Sequence, residues 1–121
     1  MVGKRLLVVE DEFLILGLMT ESLSEAGFEV LEAEDGDQAV QTLENADQID
    51  LVLTDIQLPG PIDGNAVGAK AKQLHPNIPV IYVSGRPESL RNKVARQDAF
   101  VPKPYTPAQV IAIIQRLLAS N

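Results

Sequence analysis

The stretch Leu51-Val52-Leu53-Thr54-Asp55-Ile56-Gln57-Leu58-Pro59-Gly60 decides the fold. Three aliphatic residues and a threonine in succession leave no position for a wetted face. The segment therefore reads as a strand covered on both sides, the pattern of a parallel sheet. A carboxylate ends the strand, and Pro59-Gly60 turns the chain. The same order recurs elsewhere. Leu6-Leu7-Val8-Val9 runs into Glu10-Asp11-Glu12, Val80-Ile81-Tyr82-Val83 into Ser84-Gly85, and the short Phe100-Val101 into Pro102-Lys103-Pro104. Val30 to Ala33 is a less apolar run, suited to a position near a sheet edge.

Helical periodicity fills the intervals. Ile15, Leu18, Met19, Ser22, Leu23 and Ala26 fall at helical spacing and stop at Gly27. Asp35-Gly36 leads into a short helix carrying Ala39, Val40 and Leu43. Ala66 to Leu74 makes another, stopped by His75-Pro76. Val110, Ile111, Ile114, Leu117 and Leu118 form the apolar stripe of a closing helix that begins through Pro107. Pro87 to Ala99 is expected to be a further helix, with only Leu90, Val94 and Ala95 to bury. Each parallel crossover needs a helix, so the expected fold is α/β: a doubly wound five-stranded parallel sheet in the order 2-1-3-4-5, with helices on both faces. Its ligand crevice would lie at the carboxyl ends of strands 1 and 3. Residues 1–121 read as a single domain.

Composition removes whole classes of function. At 121 residues, 45% of them hydrophobic and 22% charged, the chain can bury a core and is not a disordered tail. There is no cysteine, hence no disulfide scaffold, thiolate nucleophile or thiolate-bound metal. The single histidine, His75, reads as structural at a helix end. The apolar runs are too short for a signal peptide or a membrane span, and a cytoplasmic location is expected. A net charge of −7 disfavours direct nucleic-acid binding, which normally requires the opposite balance. Residues 1–55 hold 14 acids and 2 bases, whereas residues 56–121 hold 3 acids and 8 bases. The acids interleave with apolar residues at regular periods, so they edge a folded structure.

Four strand ends deliver polar groups to one rim: Glu10 and Asp11, then Asp55, Ser84 and Lys103. Crowded carboxylates repel, and without a partner at least one would take up a proton. A hard divalent cation relieves this, and Mg²⁺ accepts a few carboxylates while leaving positions for water and phosphate. Acids on adjacent strands with an ammonium opposite suit Mg²⁺ and a phosphoryl group, with Lys103 and Ser84 on its oxygens. Asp55, placed centrally, is the candidate nucleophile for an aspartyl phosphate.

Val8-Val9-Glu10-Asp11-Glu12, Leu53-Thr54-Asp55-Ile56-Gln57-Leu58-Pro59-Gly60, Val83-Ser84-Gly85 and Phe100-Val101-Pro102-Lys103-Pro104 together closely resemble the response-regulator receiver domains of two-component signalling, of the chemotaxis-regulator-like kind. The resemblance spans essentially the whole chain. It implies that Asp55 is the phosphoacceptor, and that Glu10 and Asp11 hold Mg²⁺ with Asp55 and the backbone carbonyl of Gln57. Ser84 matches the hydroxyl that moves toward the phosphoryl group, and Lys103 the site lysine, whose bond to Pro104 would be cis. Phe100 matches the switch aromatic, although an ordinary core role is the competing reading. Gln57 and Arg86 flank the path of an attacking water and are expected to tune acyl-phosphate lifetime. Three departures mark an atypical member: Glu10 where many have Asp, Phe100 where Tyr is frequent, and a Leu58-to-Gly64 stretch one residue longer than usual.

The implied function is a phosphoacceptor switch. A histidine kinase or histidine phosphotransfer protein supplies the phosphoryl group, and a downstream protein reads the changed surface. Such a protein turns over no external metabolite. With Ser120-Asn121 closing the sequence, output is expected through protein contacts, with neither nucleic acid nor membrane as partner. Two alternatives stand beside it. One is a phosphorylation-independent interaction module on the same fold, against which the intact acid, hydroxyl and ammonium set argues. The other is a flavodoxin-like electron carrier, disfavoured because Glu10-Asp11-Glu12 would repel a flavin phosphate.

Overall fold

The computed structural model describes residues 3–86 and 97–119. Five strands, β1 (Arg5–Val9), β2 (Glu29–Ala33), β3 (Leu51–Asp55), β4 (Val80–Ser84) and β5 (Ala99–Pro102), form one sheet. The strands pair in parallel in the order β2-β1-β3-β4-β5. The described helices are α1 (Phe13–Glu25), α2 (Gly36–Asn45), α3 (Gly64–Leu74) and α4 (Pro107–Ala119). β1, β3 and β4, each with three or more consecutive apolar residues, lie inside the sheet, and the mixed Glu29–Ala33 segment lies at one edge.

Alternation along each strand divides the core into two layers. Leu6, Val8, Leu51, Leu53, Ile81 and Val83 pack toward α1 and α4, meeting Leu16, Met19, Leu23, Val110, Ile114 and Leu117. Leu7, Val9, Val52 and Val80 point the other way, onto Ala39 and Leu43 of α2 and Val67 and Ala71 of α3. Burying each large aliphatic contributes about 1.5–3 kcal/mol, which is why consecutive apolar residues commit the segment to a two-sided sheet.

Helix boundaries follow local chemistry. The Asp35 carboxylate accepts from the Gln38 N–H at 2.8 Å, and the Asp63 carboxylate from the Ala66 N–H at 2.9 Å. These caps start α2 and α3, each contributing about 1 kcal/mol. The cap at Asp63 begins α3 two residues before the periodicity of Ala66 to Leu74 indicated. α1 stops where Gly27 turns to φ +99°, a region that disfavours a side chain. Most of the helix expected from Pro87 to Ala99 lies outside the described residues. Its C-terminal end is corrected, because Gln97 and Asp98 are not helical and Ala99 opens β5. Asp98 accepts from the Val80 N–H at 2.9 Å and pairs with Lys72 of α3 at 2.8 Å, so it anchors the strand start.

Gly64 marks a close approach of two backbone segments. Its N–H donates to the Ile56 carbonyl at 2.8 Å, and a Cβ there would lie 2.0 Å from the Asp55 carbonyl oxygen. That contact holds the loop after β3 against the first turn of α3. Gly64→Ala is expected to lower stability by roughly 1–3 kcal/mol, because backbone has to move. Urea denaturation monitored by circular dichroism measures the loss.

Candidate functional site

In a parallel sheet every strand ends on the same side, and here the register sets the heights of those ends. Val9 pairs with Thr54, so Glu10 and Asp55 follow at one level. Asp55 pairs with Val83 and Ser84 with Pro102, each rung placing the next polar residue nearby. Backbone bonds continue the ladder past the strands: Ile56 N–H to the Val83 carbonyl at 2.9 Å, and Lys103 N–H to the Ser84 carbonyl at 2.8 Å.

Lys103 Nζ donates to Asp55 Oδ2 at 2.6 Å and lies 3.7 Å from Glu10 Oε1. Glu10 and Asp55 are 4% and 5% exposed, so the acids sit largely out of water, while the Lys103 side chain is 24% exposed. Asp11 is exposed, yet one oxygen from each of Glu10, Asp11 and Asp55 lies within 4.8 Å of the others. Two carboxylates that close repel by about 3 kcal/mol at an effective dielectric of about 20. Three acids face one ammonium. Burial pushes the Glu10 carboxyl above its ordinary range, and the charges of Asp55 and Asp11 add to this. The Glu12 N–H, at 3.0 Å from Oε2, and Lys103 oppose it without cancelling it. For Lys103, burial acts to lower the pKa, but the hydrogen bond and charge of Asp55, with the charge of Glu10, outweigh it and leave the ammonium above its usual value.

Ser84 is 1% exposed and held on several sides. Its Oγ donates to Gln57 Oε1 at 2.8 Å and accepts from the Arg86 N–H at 2.9 Å, with the Arg86 carbonyl at 3.3 Å. Gln57 also places its own N–H on Asp55 Oδ1 at 3.2 Å. The structure therefore brings Glu10, Asp11, Asp55 and Lys103 together directly and Ser84 through Gln57. Arg86 reaches the site through its backbone, with its residue exposed on the rim. Phe100 stands apart from these contacts: its half-buried ring packs on Tyr82, with centroids 5.2 Å apart and planes tilted by 57°. The Lys103–Pro104 bond is cis.

Sequence reasoning missed Tyr105. Its hydroxyl is pushed up to about 12, first by burial and then by the charges of Glu10 and Asp55. The Lys-Pro-Tyr run, two residues past the ammonium, was the available signal. The donor set, all carboxylate oxygen, is of the kind a hard divalent cation takes.

A family model described as the response regulator receiver domain matches residues 6–115. The chain is 37% identical over 119 residues to the uncharacterized transcriptional regulatory protein YrkP of Bacillus subtilis, covering 93% of this chain and 50% of that protein. It is 33% identical over 123 residues to the phosphate regulon transcriptional regulatory protein PhoB of Escherichia coli, covering 96% and 52%. The chain thus spans about half the length of the curated relatives it matches. A crystal structure of a response regulator receiver protein from Sinorhizobium medicae superposes with a TM-score of 0.90 at 30% identity, covering 97% of this chain and 95% of that one.

The raised Glu10 pKa has a definite sign. The folded chain holds that proton more tightly than the unfolded chain, so metal-free stability declines as pH rises from about 4.5 through the folded value. Glu10→Gln keeps an acceptor for the Glu12 N–H and removes the repulsion. At neutral pH and in chelator it is expected to raise Tm by roughly 2–5 °C and to flatten the decline above pH 4.5. Calorimetry across pH 4 to 8 checks both effects (the range brackets the carboxyl titration at about 4.5).

Proposed function

The chain belongs to the response regulator receiver family, and on that footing we propose that it is a phosphoacceptor switch in which Asp55 takes a phosphoryl group from a phosphohistidine of a histidine kinase or histidine phosphotransfer protein. The observation that carries this reading is the buried Asp55 carboxylate, held at 2.6 Å by Lys103 within a cluster of excess negative charge. An ordinary structural ion pair has no need of two further acids.

An Asp55 oxygen attacks phosphorus while the P–N bond of the donor breaks, its electron pair staying on the imidazole nitrogen. Lys103, already on Asp55 Oδ2, shifts to or shares a phosphoryl oxygen as charge develops there. Ser84 supplies a hydroxyl donor to another oxygen. Glu10, Asp11, Asp55 and the Gln57 carbonyl would hold Mg²⁺, which when bound neutralises both the carboxylates and the phosphoryl oxygens. Gln57 and Arg86, on the loops beside Asp55 and Ser84, set water access and so the lifetime of the acyl phosphate. Phe100 answers the movement of Ser84 by turning its ring, and a downstream protein reads that surface.

A protein-sized phosphodonor suits the rim. Phe13 and Leu14, in the first turn of α1, are 81% and 82% exposed, and Leu18 lies one turn on. Beside them a groove of about 430 Å³ runs between Ile15, Met19, Tyr105 and Pro107. No helix among the described residues is long and apolar enough to cross a membrane. A cytoplasmic receiver unit that acts through protein contacts, catalysing only its own phosphorylation and dephosphorylation, fits this picture best. The net charge of −7 argues against this unit itself gripping a phosphate backbone.

Incubation with acetyl phosphate and Mg²⁺ should add about 80 Da by mass spectrometry, the mass of one phosphoryl group. Asp55→Asn should abolish the adduct. Lys103→Ala should keep Mg²⁺ affinity equal or tighter, since it removes the competing ammonium, while losing the conformational response. Labelling of Asp55→Asn at equal stoichiometry would move the nucleophile elsewhere, and an unlabelled wild type would leave the phosphorylation-independent interaction module.

A further inference from the structure

A hydroxyl has one proton to give, and Ser84 has already given its own. Its Oγ lies 2.8 Å from Gln57 Oε1, the shorter of two acceptor contacts, and is occupied on the other side by the Arg86 N–H at 2.9 Å. At 1% exposure it is shielded from bulk solvent. The residue that takes this proton also touches the nucleophile, because the Gln57 N–H donates to Asp55 Oδ1 at 3.2 Å. One residue therefore straddles the two groups that have to change partners together, with its backbone on the carboxylate and its amide on the hydroxyl.

We propose that the Gln57 side chain is a latch that holds Ser84 in the unphosphorylated arrangement by competing with the phosphoryl group for the hydroxyl proton. This rests on the phosphoacceptor reading and adds a step to it. On phosphorylation the Ser84 hydroxyl redirects its hydrogen bond from Gln57 Oε1 to a phosphoryl oxygen, and the Gln57 amide, on a half-buried loop, turns away from it. No covalent bond to hydrogen breaks; the O–H moves with Ser84 from one acceptor to another. The closed arrangement is favoured by the hydrogen bond it keeps, so its removal favours the phosphoryl-bound form. Gln57 is a positioning residue in this scheme, since it acts through Ser84. The role is separate from any effect on an attacking water, which would alter the decay of the acyl phosphate and not the affinity for a stable mimic.

Beryllofluoride with Mg²⁺ is the probe, titrated into the full chain by fluorine NMR. Gln57→Met matches the length of the side chain and removes the acceptor, and Gln57→Ala removes it by truncation. A net hydrogen bond of ordinary strength corresponds to a gain in affinity of about five-fold, expected for both variants. In a Ser84→Ala background, where there is no proton to compete for, the same Gln57 substitutions should leave affinity unchanged. Equal or weaker binding by both Gln57 variants, or a gain that persists without the Ser84 hydroxyl, overturns the latch while leaving the phosphoacceptor reading intact. A wild-type chain that binds no beryllofluoride overturns that reading, and the latch with it.

Discussion

The ion pair between Lys103 and Asp55 is the constraint on which the arrangement of the site depends. The partners are 48 positions apart in sequence and meet at 2.6 Å, with the carboxylate buried and the ammonium partly exposed. A buried carboxylate without its ammonium is strongly destabilising, so the chain has to bring β5 to the level of β3 with β4 between them. The parallel ladder achieves this. Each strand end hands its neighbour a backbone hydrogen bond, from Ile56 to Val83 and from Lys103 to Ser84. The side chains then converge without any loop having to reach across the sheet.

That one ammonium cannot balance the acids around it. Burial raises the carboxyl of Glu10 above its normal range, the charges of Asp55 and Asp11 add to this, and Lys103 at 3.7 Å opposes it without cancelling it. The cluster lies at the rim of a sheet covered by two apolar layers. Positive charge brought to the cluster would relieve it. Electrostatic strain is thus concentrated at the place where the fold presents its chemistry, while the opposite end of the sheet holds well-compensated contacts such as Asp98 with Lys72 and the Val80 N–H.

Much of this was legible in the residues alone. Consecutive apolar residues at Leu6–Val9, Leu51–Leu53 and Val80–Val83 specify strands without a wet face, and the helical stripes between them specify crossovers. Together they imply a parallel sheet and hence a common rim for whatever follows each strand. Other details were not legible. The start of α3 at Gly64 depends on the Asp63 cap, and the end of the segment before β5 on the contacts of Asp98. The pairing of Phe100 with Tyr82 is a cross-strand contact whose partner no linear pattern names.

The sequence by itself determined which residue types stand at the strand ends and that they share one side, because side-chain hydrophobicity and parallel connectivity are local or topological properties. Only the tertiary structure decided that the Gln57 amide reaches Ser84, that Tyr105 lines a groove with Lys103, and that the Asp55 carbonyl leaves no room for a side chain at Gly64. Those outcomes turn on rotamers and loop paths, which are set by packing between segments far apart in the chain.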